Sequence, residues 1–222
     1  MQLDIDKIFC CHHPSPKLAE RKYKLIDFFS SNNLNVEWVE SGAPEETKQY
    51  NNESLVHKIM TRGPVECRNN IDKSKDLSYR SMSLILKHNY CYEQQIENNY
   101  ENILILEDDV DLWGVFSETY FNKCMKEFKQ LNLGMLFLGS CCGLHYPNIE
   151  PDKYVYFSED LRSRCTHCYI LNIDTAKKLL KYVYNMFDSV DWQLNSIIEW
   201  ENIKTGWGEP SIAQLNYESS LQ

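Results

Sequence analysis

The chain has 222 residues, of which 43% are hydrophobic and 13% aromatic, and a formal net charge of -9. That composition belongs to a folded, globular chain, and the length suits one large domain with its own core. The acidic balance argues against a nucleic-acid binder, which needs a basic stripe to track phosphates, and no run nears the roughly 20 apolar residues of a membrane span.

In chain order, short apolar runs alternate with amphipathic stretches, the pattern of a sheet covered by helices. Ile8 to Cys11 reads as a first strand. Ser15-Pro16 supplies a cap and a first helical residue, with Leu18, Leu25, Ile26 and Phe29 on one face. Val36 to Val39 is a second strand. Residues 41–76 form a polar excursion broken by Gly42, Pro44, Gly63 and Pro64, with one short helix at Ser54 to Thr61 and the character of a lid. A helix over Ser78 to Ile96 leads into a strand at Ile103 to Leu106. Ser117 to Leu131 is the clearest helix, with Phe121, Cys124, Met125, Phe128 and Leu131 spaced by threes and fours. Met135 to Leu138, Lys153 to Phe157 and Cys168 to Leu171 read as strands. A helix capped by Asp174 and another after Asp191 complete an α/β domain over residues 1–222.

Nine cysteines are an odd count, and the adjacent pairs Cys10-Cys11 and Cys141-Cys142 sit at apolar positions, so the thiols read as reduced and buried. Met1 to Phe9 carries charges where the apolar centre of a signal peptide would lie. A cytoplasmic location is the expectation, with a fragment of a longer or secreted protein as the other reading.

The chemistry concentrates in "NILILEDDVDLW", where a buried-looking strand runs into Glu107, Asp108, Asp109 and Asp111. Open α/β sheets bind ligands at the carboxyl ends of their strands. In extended backbone, residues two apart point to one side, so Glu107 with Asp109, or Asp109 with Asp111, would grip one divalent cation. A solvated acidic turn is the plain alternative. By the same alternation Asp108 points away and serves a structural hydrogen bond.

The motifs "SLILKH", "ILILEDDV", "GMLFLGS", "CTHCYILNIDTAKKLL", "SVDWQLN" and "WGEPSIAQLNYESS", in that order, resemble the family 25 glycosyltransferases, which include lipopolysaccharide and collagen hydroxylysine galactosyltransferases. The resemblance implies a GT-A fold: one Rossmann-like α/β domain, with a mostly parallel central sheet flanked by helices. It implies inverting transfer of a hexose, galactose or glucose, from a UDP-sugar with Mn²⁺ or Mg²⁺. The acceptor would be a glycan or a hydroxylated protein side chain. Glu107 and Asp109 match the metal-binding acidic motif, and His88 matches the histidine of an upstream "SH" signature in which Lys87 replaces the serine. Thr166, His167 and Tyr169 match a "THAY"-like segment, Asp191-Trp192 a "VDW", and Glu209, Pro210 and Gln214 an "EP…Q" element. The opening "IFCCHHPSP" departs from the family's usual nucleotide-contacting turn, and only Arg21 resembles its arginine.

Such a transfer needs a cation for the departing diphosphate, a base for the acceptor hydroxyl, and groups that orient both sugars. Asp109 and Glu107 are the candidate metal ligands, and His167 a third, since neutral imidazole suits Mn²⁺; the other reading of His167 is a buried core histidine. Asp191 is the candidate base, beside Trp192 as a sugar-stacking wall; as a helix cap it would have a purely structural part. Glu209 is the reserve base, and either carboxylate suits donor hydroxyls instead. Arg21, Trp192 and His88 join Glu107 and Asp109 as donor-binding candidates, His88 with the character of a buried residue behind the site. Cys165-x-x-Cys168 is a lone pair without the partners a structural zinc needs. Two competing readings stand: a phosphatase using an Asp-x-Asp pair, against which Glu107 occupies the nucleophile's place, and a degenerate transferase domain acting as a binding module.

Overall fold

The structure is a computed structural model, and it describes residues 1–42, 78–112, 116–157, 162–182, 186 and 188–215. The expected helix at Ser54 to Thr61 and nearly all of the excursion lie outside the described residues.

The described elements begin with β1 (Lys7–Cys11), α1 (Ala19–Ser31), β2 (Val36–Val39), α2 (Tyr79–Glu97) and β3 (Asn102–Glu107). They continue with β4 (Val110–Asp111), α3 (Glu118–Gln130), β5 (Met135–Phe137), β6 (Gly139–Ser140) and β7 (Val155–Phe157). The last are β8 (Cys168–Asn172), α4 (Ile173–Leu179), a 3₁₀ turn at Leu180–Tyr182, α5 (Val190–Trp200), β9 (Thr205–Gly208) and β10 (Ala213–Leu215). No helix among the described residues is long and apolar enough to cross a membrane.

Seven strands form one sheet in the order β2-β1-β3-β8-β5-β9-β7, and β4-β10-β6 form a small second one. The expectation of a mostly parallel sheet holds only in part. β1 pairs in parallel with β2 and β3, and β5 with β9. The β3–β8, β5–β8 and β7–β9 pairings are antiparallel. Strands β8 and β7 run against the other five, and because β8 sits in the middle it turns two central pairings antiparallel. The α/β class stands, with a mixed sheet.

Alternation along the strands divides the core between two faces. Ile8, Cys10, Leu104, Leu106, Leu136 and Ile170 pack with Leu25, Phe28 and Phe29 of α1 and Phe121, Cys124, Met125 and Phe128 of α3. Phe9, Ile103, Ile105, Phe137, Tyr169 and Leu171 pack on the other side with α2, α4 and α5. The continuous run Ile103 to Leu106 is explained by this, since a strand covered on both faces has no polar side.

Several local expectations are corrected. α1 starts at Ala19 after a turn, with Leu18 rather than Ser15 at its cap. Asn172, not Asp174, caps α4 by accepting from the Thr175 amide. Asp191 lies in the first turn of α5, with Ser189 at the cap position. Ser78 and Ser117 cap α2 and α3 by accepting from the amides of Ser81 and Tyr120. Cys141 and Cys165 form a disulfide, contrary to the reading of reduced thiols throughout, because the backbones of two loops pass with Cα atoms 6.4 Å apart. Six other described cysteines are free, and five of these are buried. The disulfide also takes Cys165 out of any C-x-x-C zinc pair.

Candidate active site

The carboxyl ends of β1, β3, β5 and β9 and the start of β8 lie along one edge of the sheet, as the directions of these strands dictate. His12, Glu107, Gly139 and Glu209 follow or end those strands, and Thr166-His167 precede β8. The chemistry-bearing residues of the sequence therefore collect at the edge where an open α/β sheet binds ligands.

Glu107 ends β3, and its Oε1 accepts from the Thr166 hydroxyl at 2.6 Å. His88 Nε2 approaches the same oxygen at 3.3 Å. Burial alone would raise this carboxyl, but His88 and Thr166 bring it below its ordinary range. His88 is 0% exposed. Burial works against its charge, while Cys11 and Glu107 more than offset that and push it up.

The chain turns at Asp108 and Asp109. Glu107 and Asp109 therefore do not share one run of extended backbone, which corrects the expectation that alternation points them to one side. Asp108 goes to the β1 side, where its carboxylate meets His12 Nδ1 at 2.6 Å and accepts from Arg21 Nη1 at 3.1 Å. The structural hydrogen bonding expected of Asp108 is thus found, and Arg21 is its partner. Asp109 Oδ1 is buried with no hydrogen-bond partner. Burial and then the charges of Glu107 and Asp108 push the Asp109 carboxyl up to about 7. Asp111 is exposed in β4, opposite Gln214 of β10.

His167 is 1% exposed, its Nδ1 lacks a partner, and its Nε2 lies 3.4 Å from the Ala213 carbonyl. Burial lowers its pKa, which favours the neutral ring. Gly139 leaves it room: a Cβ there would sit 2.3 Å from His167 Nε2. Gly139→Ala is expected to displace the ring and cost about 1–3 kcal/mol of stability, the usual range for overpacking, checked by thermal melting.

The remaining expected residues have partners of their own. Glu209 is 1% exposed and paired with the fully buried Arg164. It also accepts from the Tyr146 amide at 3.0 Å and meets His145 Nδ1 at 3.3 Å. Asp191 accepts from the Ser189 hydroxyl at 2.6 Å. Its helix is tied to the segment that carries Thr166 through Ser163, whose amide and hydroxyl both lie 2.8 Å from the Asn195 side-chain oxygen that accepts from them. Trp192 is 63% exposed.

Two contributors were missed in the sequence. Tyr92 meets the Tyr169 hydroxyl at 2.7 Å, and its spacing of four from His88 on one helix was a usable signal. Arg164 had no signal, being one arginine in a polar loop.

A divalent cation fits this cluster in a limited way. Asp109 presents a buried, unpartnered oxygen among like charges, which a cation would relieve. Among the described residues, however, no group of three His, Cys, Asp or Glu side chains is arranged to hold a metal. The set Glu107, Asp109 and His167 is therefore no ready-made cage, and a cation here would draw most of its shell from water and ligand phosphates, as Mg²⁺-type sites do.

No curated protein matches the chain in sequence. One solved structure, a glycosyltransferase involved in the glycosylation of the major capsid of PBCV-1, is 15% identical, with 88% of this chain and 73% of that chain covered and a TM-score of 0.41. At that score the likeness carries no argument. The model of glycosyltransferase family 25, described as LPS biosynthesis protein, matches residues 16–194, which is most of the chain and includes the acidic turn, His88, Thr166, His167 and Asp191, so the chain belongs to glycosyltransferase family 25.

Proposed function

We propose that this glycosyltransferase is an inverting, Mn²⁺- or Mg²⁺-dependent enzyme that moves galactose or glucose from a UDP-sugar to a glycan or a hydroxylated protein side chain. The observation that carries this reading is the contrast between two neighbouring carboxyls at the sheet edge. Glu107 is held toward its ionised form by its partners, while Asp109 is crowded by like charge and has a buried oxygen short of a partner among the described residues. Neighbouring carboxyls in such unequal environments mark a site built for charge chemistry.

Asp109 and Glu107 would hold the cation, which supplies neutralisation of the departing diphosphate. Thr166 and His88 keep the Glu107 carboxylate oriented. Arg21, on Asp108, brings positive charge to the β1 side of the site, where it suits the donor's phosphates. Asp191, steadied by Ser189, would take the acceptor proton, and the exposed ring of Trp192 offers a face for a sugar. Glu209 serves this reading as an anchor, because Arg164, the Tyr146 amide and His145 already occupy both its oxygens.

The test is calorimetric binding and hydrolysis of a panel of UDP-sugars with and without Mn²⁺. Metal-dependent binding and cleavage of one sugar is the expected result, and it identifies the donor. Binding without turnover of donor or acceptor would instead favour a degenerate binding module, and no binding of any UDP-sugar in either condition would overturn the reading.

A further inference from the structure

We propose that His88 is a positioning residue for Glu107, held from behind by Tyr169 and Tyr92, so that one oxygen of the Glu107 carboxylate is committed to the protein and the other is left for the donor complex. This rests on the function proposed above and deepens it.

The ring of His88 lies in the middle of α2 and is entirely buried, an unusual place for a histidine unless both nitrogens are used. Nδ1 is 2.8 Å from the Tyr169 hydroxyl, and the two rings stack with centroids 5.7 Å apart and planes 14° from parallel. Tyr169 continues to Tyr92 at 2.7 Å. On the far side, Nε2 stands 3.3 Å from Glu107 Oε1. Nε2 makes no well-formed hydrogen bond there, so the contact is chiefly one of charge.

A count of protons orders the chain. Each tyrosine has one hydrogen to give and the imidazole has one or two. A bare Nε2 would set its lone pair against a carboxylate, which is repulsive. Nε2 therefore carries a hydrogen toward Glu107, whether Tyr92 donates to Tyr169 and Tyr169 to Nδ1, or the ring donates from both nitrogens. The Thr166 hydroxyl donates to the same oxygen. Both contacts end on Oε1, and among the described residues no hydrogen bond ends on Oε2. The rotation of the carboxylate is thereby set, as partners behind a ligating group commonly do, with losses of about 10- to 100-fold when they are removed.

Two variants separate positioning from bulk. The amide nitrogen of glutamine reaches the place of Nε2, whereas that of asparagine reaches only Nδ1. His88→Gln is expected to keep UDP binding in saturating Mn²⁺ within about threefold of wild type, while His88→Asn weakens it by about 10- to 100-fold and raises the Mn²⁺ concentration needed, both read by calorimetry. Thermal melting establishes that each variant is folded. If His88→Asn does not fold, Tyr169→Phe, which keeps the stacked ring and removes one hydroxyl, is expected to weaken Mn²⁺-dependent UDP binding several-fold. Folded variants that bind UDP as wild type does would overturn the role of His88 and leave the donor reading intact. A wild type that binds no UDP with Mn²⁺ would overturn both.

Discussion

Replacing Arg164 by methionine is expected to lower stability by about 3–5 kcal/mol, the cost of stranding one member of a buried ion pair. The side chains of Arg164 and Glu209 are 0% and 1% exposed, so solvent offers Glu209 nothing in exchange. The loss extends beyond the pair. The guanidinium also donates to the carbonyls of Phe137 at 3.2 Å, Leu144 at 3.3 Å and Gly208, and it lies 5.1 Å from the centre of the Trp207 ring. One side chain thus ties the end of β5, the end of β9 and the loop after Cys141. Lysine keeps the charge but not the planar fork, so Arg164→Lys is expected to recover only a minor part of the loss. Glu209→Gln removes the charge that would be stranded, and Arg164→Met with Glu209→Gln is expected to be less unstable than Arg164→Met alone. Urea unfolding of the four proteins closes that cycle, and a double variant as unstable as the sum of the singles would show that the two groups act independently.

Such a pair explains where sequence reading stopped. The strands and helices were legible wherever periodicity spoke, as in α3, where Ser117 and the apolar spacing agreed, and in β3, where an unbroken apolar run announced burial on both faces. The direction of β8 was not legible, since Cys168 to Leu171 is equally apolar read either way, and its reversal, with that of β7 at the edge, makes the sheet mixed. Helix starts failed where two polar residues competed: Asn172 and Asp174 are both able caps, and only the backbone decides between them. The Cys141–Cys165 bond joins loops 24 residues apart, a proximity that no local pattern records.

At the site, the residue types were legible and their partners were not. The acidic turn stood out at once, yet the alternation that pairs Glu107 with Asp109 presumed extended backbone through Asp109, whereas the strand ends at Glu107. His88 looked like a core histidine because its neighbours are apolar, and it is one; its chemistry comes from Tyr169 and Glu107, which are 81 and 19 positions away in the sequence. Glu209 looked available as a base because Arg164, 45 residues upstream, has no periodic or motif relation to it.

Asp109→Asn is expected to remove Mn²⁺-dependent cleavage and transfer of the UDP-sugar by about a thousandfold or more. A bound cation supplies several kcal/mol of charge stabilisation to a departing diphosphate, and about 1.4 kcal/mol is a tenfold change in rate. The stability of the same variant is expected to move the other way or not at all. Asp109 is a half-buried residue beside Glu107 and Asp108, with a buried oxygen that no group among the described residues satisfies, so in metal-free buffer the fold gains nothing from its charge and loses to repulsion. An amide of the same shape relieves the repulsion while offering a far poorer cation ligand. Opposed effects on activity and stability are what a residue kept for function at the expense of the fold must show. A thermal melt in chelator, paired with donor hydrolysis in Mn²⁺, measures both. Lost activity with an unchanged or higher melting temperature assigns Asp109 to the chemistry, whereas a melting temperature that falls along with activity assigns it to the scaffold and leaves the cation without its principal ligand.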